Sequence, residues 1–249
     1  MHNFFTQQEN RRENVFIIEG GDVNHIKNVL RMKEGEKLLV SCDGQSHLCA
    51  IKAIFESSVE CEILEENYID SSLNIKLYLF QGLPKSDKME FIIQKAVELG
   101  AEGIYGVEME NCVVKLDSKK KASKLTRWQE IAKSAAKQCK RSFIPEVYPI
   151  LSYDEAIKEA SKLDMFLVPF ESKNGMKDTK EALLKIKKGS SVGILIGAEG
   201  GFSESEIKKA EAAGANIISL GKRILRCETA AVASLCMCML YAETELCDD

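Results

Sequence analysis

The chain has 249 residues, 45% of them hydrophobic and 29% charged, with a formal net charge of −4. That length favours two domains, and that composition suits a globular protein with a sizeable core rather than a disordered or fibrous chain. Apolar runs too short to span a bilayer, a start (Met1-His2-Asn3-Phe4-Phe5) without a secretory signal, and nine cysteines without a CxxC pair predict a soluble, cytoplasmic protein with neither membrane anchor nor metal site.

Residues 1–70 read as short strands at 15–18, 37–42, 48–54 and 58–64, with an Asp43-Gly44 turn and one helix over about 22–30. This predicts a small β-barrel, with His25, Lys27, Arg31 and Lys33 giving positive character around the helix. From Asn74 the grammar changes. Strands at 75–81, 103–107, 165–169, 192–196 and 217–220 alternate with helices at 87–99, 123–140, 153–161, 179–187, 203–213 and 228–241. Such alternation predicts a mostly parallel sheet covered by helices. Within the helix at 123–140, Leu125, Trp128, Ala132, Ala135 and Cys139 form one apolar stripe, leaving Lys133, Lys137, Lys140 and Arg141 on a second, exposed face. The segment 115–141 carries ten basic residues against Asp117 and Glu130. A lysine run alone is most often a solvated helix face, but gathered charge of this kind also suits a polyanion.

Two motifs carry candidate chemistry. Ile196-Gly197-Ala198-Glu199-Gly200-Gly201-Phe202-Ser203 is a glycine loop after a strand, and Ser203 with Glu206 forms a capping box that opens a helix. Leu220-Gly221-Lys222-Arg223-Ile224-Leu225-Arg226-Cys227-Glu228 runs from the last strand into the last helix. Its apolar neighbours predict a partly enclosed junction, where charged groups become candidates for substrate work. The chain has no G-x-G-x-x-G after its first α/β strand, no P-loop and no G-x-S-x-G elbow. Its three histidines all fall in the first fifty residues, which argues against a histidine-based centre in the α/β part.

Five collinear blocks resemble the uracil-N3 methyltransferases of 16S ribosomal RNA (RsmE type) of the SPOUT superfamily. They are Gly82-Leu83-Pro84-Lys85 with Lys88-Met89-Glu90 and Gln94 to Gly100; Val113 to Asp117; Arg127-Trp128 through Pro145-Glu146; Gly197 with Glu199-Gly200-Gly201; and Leu220-Gly221 with Arg223 to Arg226 and Glu228-Thr229. His25 with Val29 to Lys33 and Gly35 resembles the family's PUA-like RNA-binding domain. The resemblance implies a PUA-like β-barrel over 1–72 and a trefoil-knotted α/β methyltransferase domain over 73–249. It implies S-adenosylmethionine as methyl donor, held by Val168, Ile196, Gly197, Glu199, Gly200, Gly201, Leu220, Gly221, Ile224 and Leu225. It also implies a homodimer acting on 16S rRNA or the small ribosomal subunit. RNA contacts would fall to His25, Arg31, Lys33, Lys133, Lys137, Arg141 and Arg223. Arg226 would stabilise charge on the uracil, and Glu228 or Glu199 would orient.

The chain departs from the family pattern at Ala198 (usually Pro), Cys227 (usually Thr), and Asn3 and Asn111 (usually Arg). Cys227 invites a nucleophile reading, although nitrogen methylation needs no covalent adduct. Two alternatives stay open: a methyltransferase with another RNA target, and a weakened homologue that only binds RNA or cofactor.

Overall fold

Inward-facing apolar residues at every second position define the amino-terminal strands. Phe16 and Ile18 of β3 (Val15–Glu19) and Val59, Cys61 and Ile63 of β6 (Ser58–Ile69) are buried, as the two-residue period of a half-buried strand requires. The computed structural model describes residues 1–170 and 175–247. The chain falls into two compact units, Met1–Ser72 with Ser134–Ile144, and Leu73–Lys133 with Pro145–Asp249.

The first unit holds a six-stranded sheet in the order β1-β4-β5-β6-β3-β2. β1 (Asn3–Phe5) runs parallel to β4 (Lys37–Cys42); the remaining pairs, which add β2 (Arg11–Arg12) and β5 (Gln45–Ile54), are antiparallel. Asp43 and Gly44 both have positive φ, 48° and 78°, and close a two-residue hairpin between β4 and β5. Helix α1 (Gly21–Asn24) continues into a π-helical turn, His25–Val29, which together match the one helix expected here. Asn3 is buried: its Nδ2 donates to the Arg141 carbonyl (2.9 Å) and its Oδ1 accepts from Ser41 Oγ (2.9 Å). The residue that stands in place of the family's arginine is therefore a structural amide.

The segment 134–144 corrects the expected exposed basic face. Helix α3 (Ser118–Gln138) stops before Lys140, whose φ is +59°, so the helical spacing that placed Arg141 outward does not reach it. Arg141 is buried, with its guanidinium 4.3 Å from the Phe143 ring centre. Lys137 is half-buried, paired with Asp22 and 5.9 Å from the Phe4 ring centre. Lys140 alone of these three is exposed.

In the second unit the expected strand–helix alternation yields a six-stranded, wholly parallel sheet in the order β12-β10-β11-β7-β8-β9. The strands are β7 (Lys76–Gly82), β8 (Ala101–Glu108), β9 (Glu146–Ser152), β10 (Met165–Pro169), β11 (Ser191–Ile196) and β12 (Asn216–Ile218). Between them lie α2 (Lys88–Glu98), α3, α4 (Tyr153–Ala160), α5 (Lys177–Leu183) and α6 (Glu204–Ala212), with α7 (Cys227–Glu245) last. The central strands are apolar on both faces, as burial under two helical layers demands: Leu77, Leu79, Phe80, Ile194 and Leu195 are all buried. Strand β9 was not expected. It carries Pro149, which cannot donate to a ladder and which a sheet tolerates at its edge, where β9 pairs with β8 alone. Helix α3 starts at Ser118, five positions before the expected start at 123, because Asp117 Oδ1 accepts from the Lys120 amide (2.8 Å) and caps its first turn.

Candidate active site

In a parallel sheet, the loops leaving the carboxyl ends of the strands are free to shape a ligand site. Here the loops after β11 and β12 form the two walls of a cleft of about 540 Å³, within the range of about 300–1,000 Å³ common for small-molecule sites. Residues 196–202 and 219–227 line it, with Pro169, Phe170, Lys88 and Ala230. Nine of the ten expected cofactor contacts are therefore in the wall. Val168 is not: it is buried in β10, and the next two residues, Pro169 and Phe170, take its place at the cleft.

The glycine loop owes its composition to three causes. Gly201 and Gly221 have φ of +65° and +101°, a region that side chains disfavour, and open space lies where a Cβ would be. Gly197 packs against Gly201, whose Cα would lie 3.2 Å from an added Cβ. Gly200 fits against Asn111, whose Cβ and carbonyl oxygen would be 2.7 and 2.9 Å from a Cβ at 200. A Cβ at either Gly197 or Gly200 would thus meet protein, while both residues still line the cleft. Beneath the loop, fully buried Gln81 at the end of β7 donates from Nε2 to the carbonyls of Gly82 (3.0 Å) and Gly197 (3.3 Å). The expected capping box closes the loop, with Ser203 N–H donating to Glu206 Oε2 (2.9 Å) and Glu206 N–H to Ser203 Oγ (3.2 Å). Glu206 also accepts from the Glu110 amide (2.9 Å), and this satisfies a buried carboxylate.

A charged cluster joins the walls. Lys88 Nζ, from the first position of α2, is 2.9 Å from Glu199 Oε1 and 3.3 Å from Glu228 Oε2. The Lys85 amide adds bonds of 3.1 and 3.3 Å to the Glu199 carboxylate. Burial alone would raise the Glu199 carboxyl, but the bonds from Lys88 and from backbone amides outweigh it and hold it below the usual range. Glu228 is held low in the same way, against its burial, by its own amide, the Cys227 thiol and Lys88. Lys88 is pushed up, chiefly by its bond to Glu199. Sequence reasoning quoted Lys88 within a motif but assigned it no place in the site. Its signal was a lysine opening a helix, where the macrodipole disfavours a cation.

Cys227 is buried, and its Sγ lies 3.2 Å from Glu228 Oε2. Burial and then the bond to Glu228 push the thiol up to about 12, against the thiolate that a nucleophile needs. Arg223 and Arg226 line the cleft and are exposed. Ile224 between them is 86% exposed, so the expected enclosure of the junction is not formed within one chain. Asn111 touches the site through its Nδ2, which donates to the Gly200 carbonyl (3.1 Å). Of the other expected RNA contacts, His25, Arg31 and Lys33 are exposed in the first unit, which also holds Lys137 and Arg141, while Lys133 is half-buried in the second. Among the described residues, no group of three or more His, Cys, Asp or Glu is placed to hold a metal, and no helix is long and apolar enough to cross a membrane.

Comparison with known proteins gives the class first. Residues 71–239 match the family model of an RNA methyltransferase domain, and residues 18–64 that of an RNA methyltransferase PUA domain. The chain is 38% identical to ribosomal RNA small subunit methyltransferase E of Bacillus subtilis, an alignment that covers 92% of this chain and 91% of that one. It is 33% identical to the protein of that name from Mesomycoplasma hyopneumoniae, over 96% and 99% of the two chains. The crystal structure of ribosomal RNA small subunit methyltransferase E from Neisseria gonorrhoeae bound to S-adenosyl methionine superposes with a TM-score of 0.79 at 32% identity, covering 95% of this chain and 96% of that one. The chain belongs to the ribosomal RNA small subunit methyltransferase E family. The resemblance seen in the motifs, the PUA-like amino-terminal part and the α/β carboxy-terminal part are borne out.

Proposed function

We propose that the protein transfers a methyl group from S-adenosylmethionine to N3 of one uridine in the RNA of the small ribosomal subunit. The observation that carries this reading is the two-walled cleft at the carboxyl ends of β10, β11 and β12, in a chain of this family. Its build fits the cofactor: Gly201 and Gly221 offer backbone with open space beside it, and the Glu199 carboxylate in the lining suits a ligand that carries positive charge. Residues 196–201 and 220–225 would hold the cofactor, with the end of β10 beneath. When bound, it supplies an electrophilic methyl group on a sulfonium.

The residues of the chain then divide the remaining work. The Arg226 guanidinium, exposed at the cleft, stabilises the negative charge that grows on a uracil oxygen as the ring nitrogen loses its proton. Arg223, beside it, contacts phosphate or base. Glu199 and Glu228 orient the bound groups. The unit that contains residues 1–72 contacts RNA through His25, Arg31 and Lys33; residues 73–249 form the catalytic domain, with the trefoil knot of the superfamily. The protein acts in the cytoplasm as a homodimer, in which a second copy covers the exposed Ile224 and Leu240.

The test is methyl transfer from labelled cofactor to purified small subunits and to naked ribosomal RNA, with the product nucleoside identified. The expected product is N3-methyluridine. A ribose- or carbon-methylated product, or no transfer to either substrate, would overturn the reading.

A further inference from the structure

A lysine at the first position of α2 points its charge against the helix macrodipole, which favours anions at that end. The position is sustained by what the side chain meets. Its ammonium reaches Glu199, on the loop after β11, and Glu228, in the first turn of α7, elements that form opposite walls of the cleft. We infer that Lys88 is a positioning residue: it clasps the glycine loop to the start of α7 and screens from one another two carboxylates that would otherwise repel. The inference rests on the cofactor reading of this cleft and adds to it the residue that sets the spacing of its walls.

The physical argument is one of charge balance. Both contacts are made by one nitrogen, so the two carboxylate oxygens lie no more than about 6 Å apart, close enough for like charges to disturb one another strongly. The titratable groups that face the ammonium are Glu199, Glu228 and Cys227. The Cys227 thiol donates to Glu228 and stays neutral, so it cannot replace the cation. The Lys85 amide continues to support Glu199 whatever stands at 88, whereas Glu228 has no second cation among the described ion pairs. Without Lys88 the two carboxylates repel and the link between the walls is lost; one carboxyl then takes up a proton more readily than in the wild type, which as pH falls also removes negative charge that a cationic ligand would meet.

The experiment compares wild type, Lys88→Met and Lys88→Arg. Affinity for S-adenosylmethionine is measured by calorimetry from pH 5.5 to 8, and glutamate carboxyl titrations are followed by NMR of ¹³C-glutamate-labelled protein without cofactor. Wild type should bind with little pH dependence. Lys88→Met should bind roughly tenfold or more weakly, with the deficit growing as pH falls, and with one carboxyl titrating well above its wild-type position. Lys88→Arg should restore most of the affinity and both carboxyl titrations, and it decides the matter if Lys88→Met does not fold. A loss that is the same at every pH, with carboxyl titrations unmoved, would reduce Lys88 to an ordinary surface ion pair and overturn the inference. If wild type itself does not bind S-adenosylmethionine, the cofactor reading fails separately, and the NMR titrations still decide the role of Lys88.

Discussion

Asn111 and Gly200 hold each other from both sides: the Asn111 amide donates to the Gly200 carbonyl, and Asn111 itself fills the space a side chain at 200 would need. The near atoms include the Asn111 backbone oxygen, which cannot swing away as a side-chain end could. Gly200→Ala should therefore cost about 1–3 kcal/mol, the range for overpacking, and displace the loop. Asn111→Ala should cost less, on the order of 0.5–1 kcal/mol for one exposed hydrogen bond. Urea unfolding measures both, and equal effects would show that the contact does not set the loop.

Gly201 and Gly221 are sensitive for a different reason, since open space surrounds both and only their backbone angles object. Gly201→Ala should cost roughly 1–2 kcal/mol, and Gly201→Asn distinctly less, because asparagine tolerates the left-handed region. The order Gly > Asn > Ala in stability is the expected readout; equal stability of all three would mean the loop adapts.

Arg226 should affect turnover more than binding. It stands exposed at the cleft, and Glu228, the carboxylate closest to it in sequence, is already engaged by Lys88 and Cys227. Arg226→Ala should lower turnover on the order of a hundredfold with little change in cofactor affinity, and Arg226→Lys should recover little, lacking the planar fork. Loss of affinity in parallel with turnover would assign Arg226 to loop closure instead.

Cys227 and Cys247 should separate under alkylation. The Cys227 thiol is buried and pushed up to about 12, whereas Cys247 is exposed. Brief treatment of the native protein with iodoacetamide at pH 7.5 should label Cys247 and spare Cys227, as read by peptide mass spectrometry. Labelling of Cys227 first would restore the nucleophile reading.

His47 should make the protein acid-sensitive before its carboxylates do. It is buried against Phe16, ring centres 5.1 Å apart, and burial followed by the charge of Arg11 lowers its affinity for a proton. At pH 8 folded and unfolded chains both hold it neutral, so it contributes no pH dependence there. As pH falls below the ordinary value of 6.5, the unfolded chain takes up a proton that the folded chain resists, and stability declines. His47→Gln should flatten the change in Tm between pH 7 and pH 5; an unchanged slope would place the effect elsewhere.

Much of this architecture was legible in residue order. Glycine and proline punctuation, and the switch from two-residue to helical periods after Asn74, carry the strand–helix alternation, and the Ser203–Glu206 box shows where α6 begins. Three features were hidden for physical reasons. Pro149 disguises β9, since a proline argues against a strand unless the strand's edge position is already known. Arg141 seemed exposed because helical spacing was extended past Gln138, where the helix ends. Lys88, Glu199 and Glu228 lie on three separate elements, and the one local sign, a lysine where the helix macrodipole disfavours it, does not say which carboxylates it will meet.

The order of strands in the parallel sheet has a consequence for how the chain is made. β7 lies inside the sheet, between β8 and β11, and its Lys76 and Gln81 are matched with Ser191 and Ile196. On a ribosome that builds the chain from its amino terminus, β8 follows after α2 alone, but β11 emerges only after α3, β9, α4, β10 and α5 as well. Throughout that interval one edge of β7, with Leu77, Leu79 and Phe80 beside it, has no native partner. Pairing so distant is slow to form, and an apolar strand with an unpaired edge invites association with other chains. Between the synthesis of β7 and that of β11, the nascent protein therefore carries an apolar strand edge that can pair with other chains.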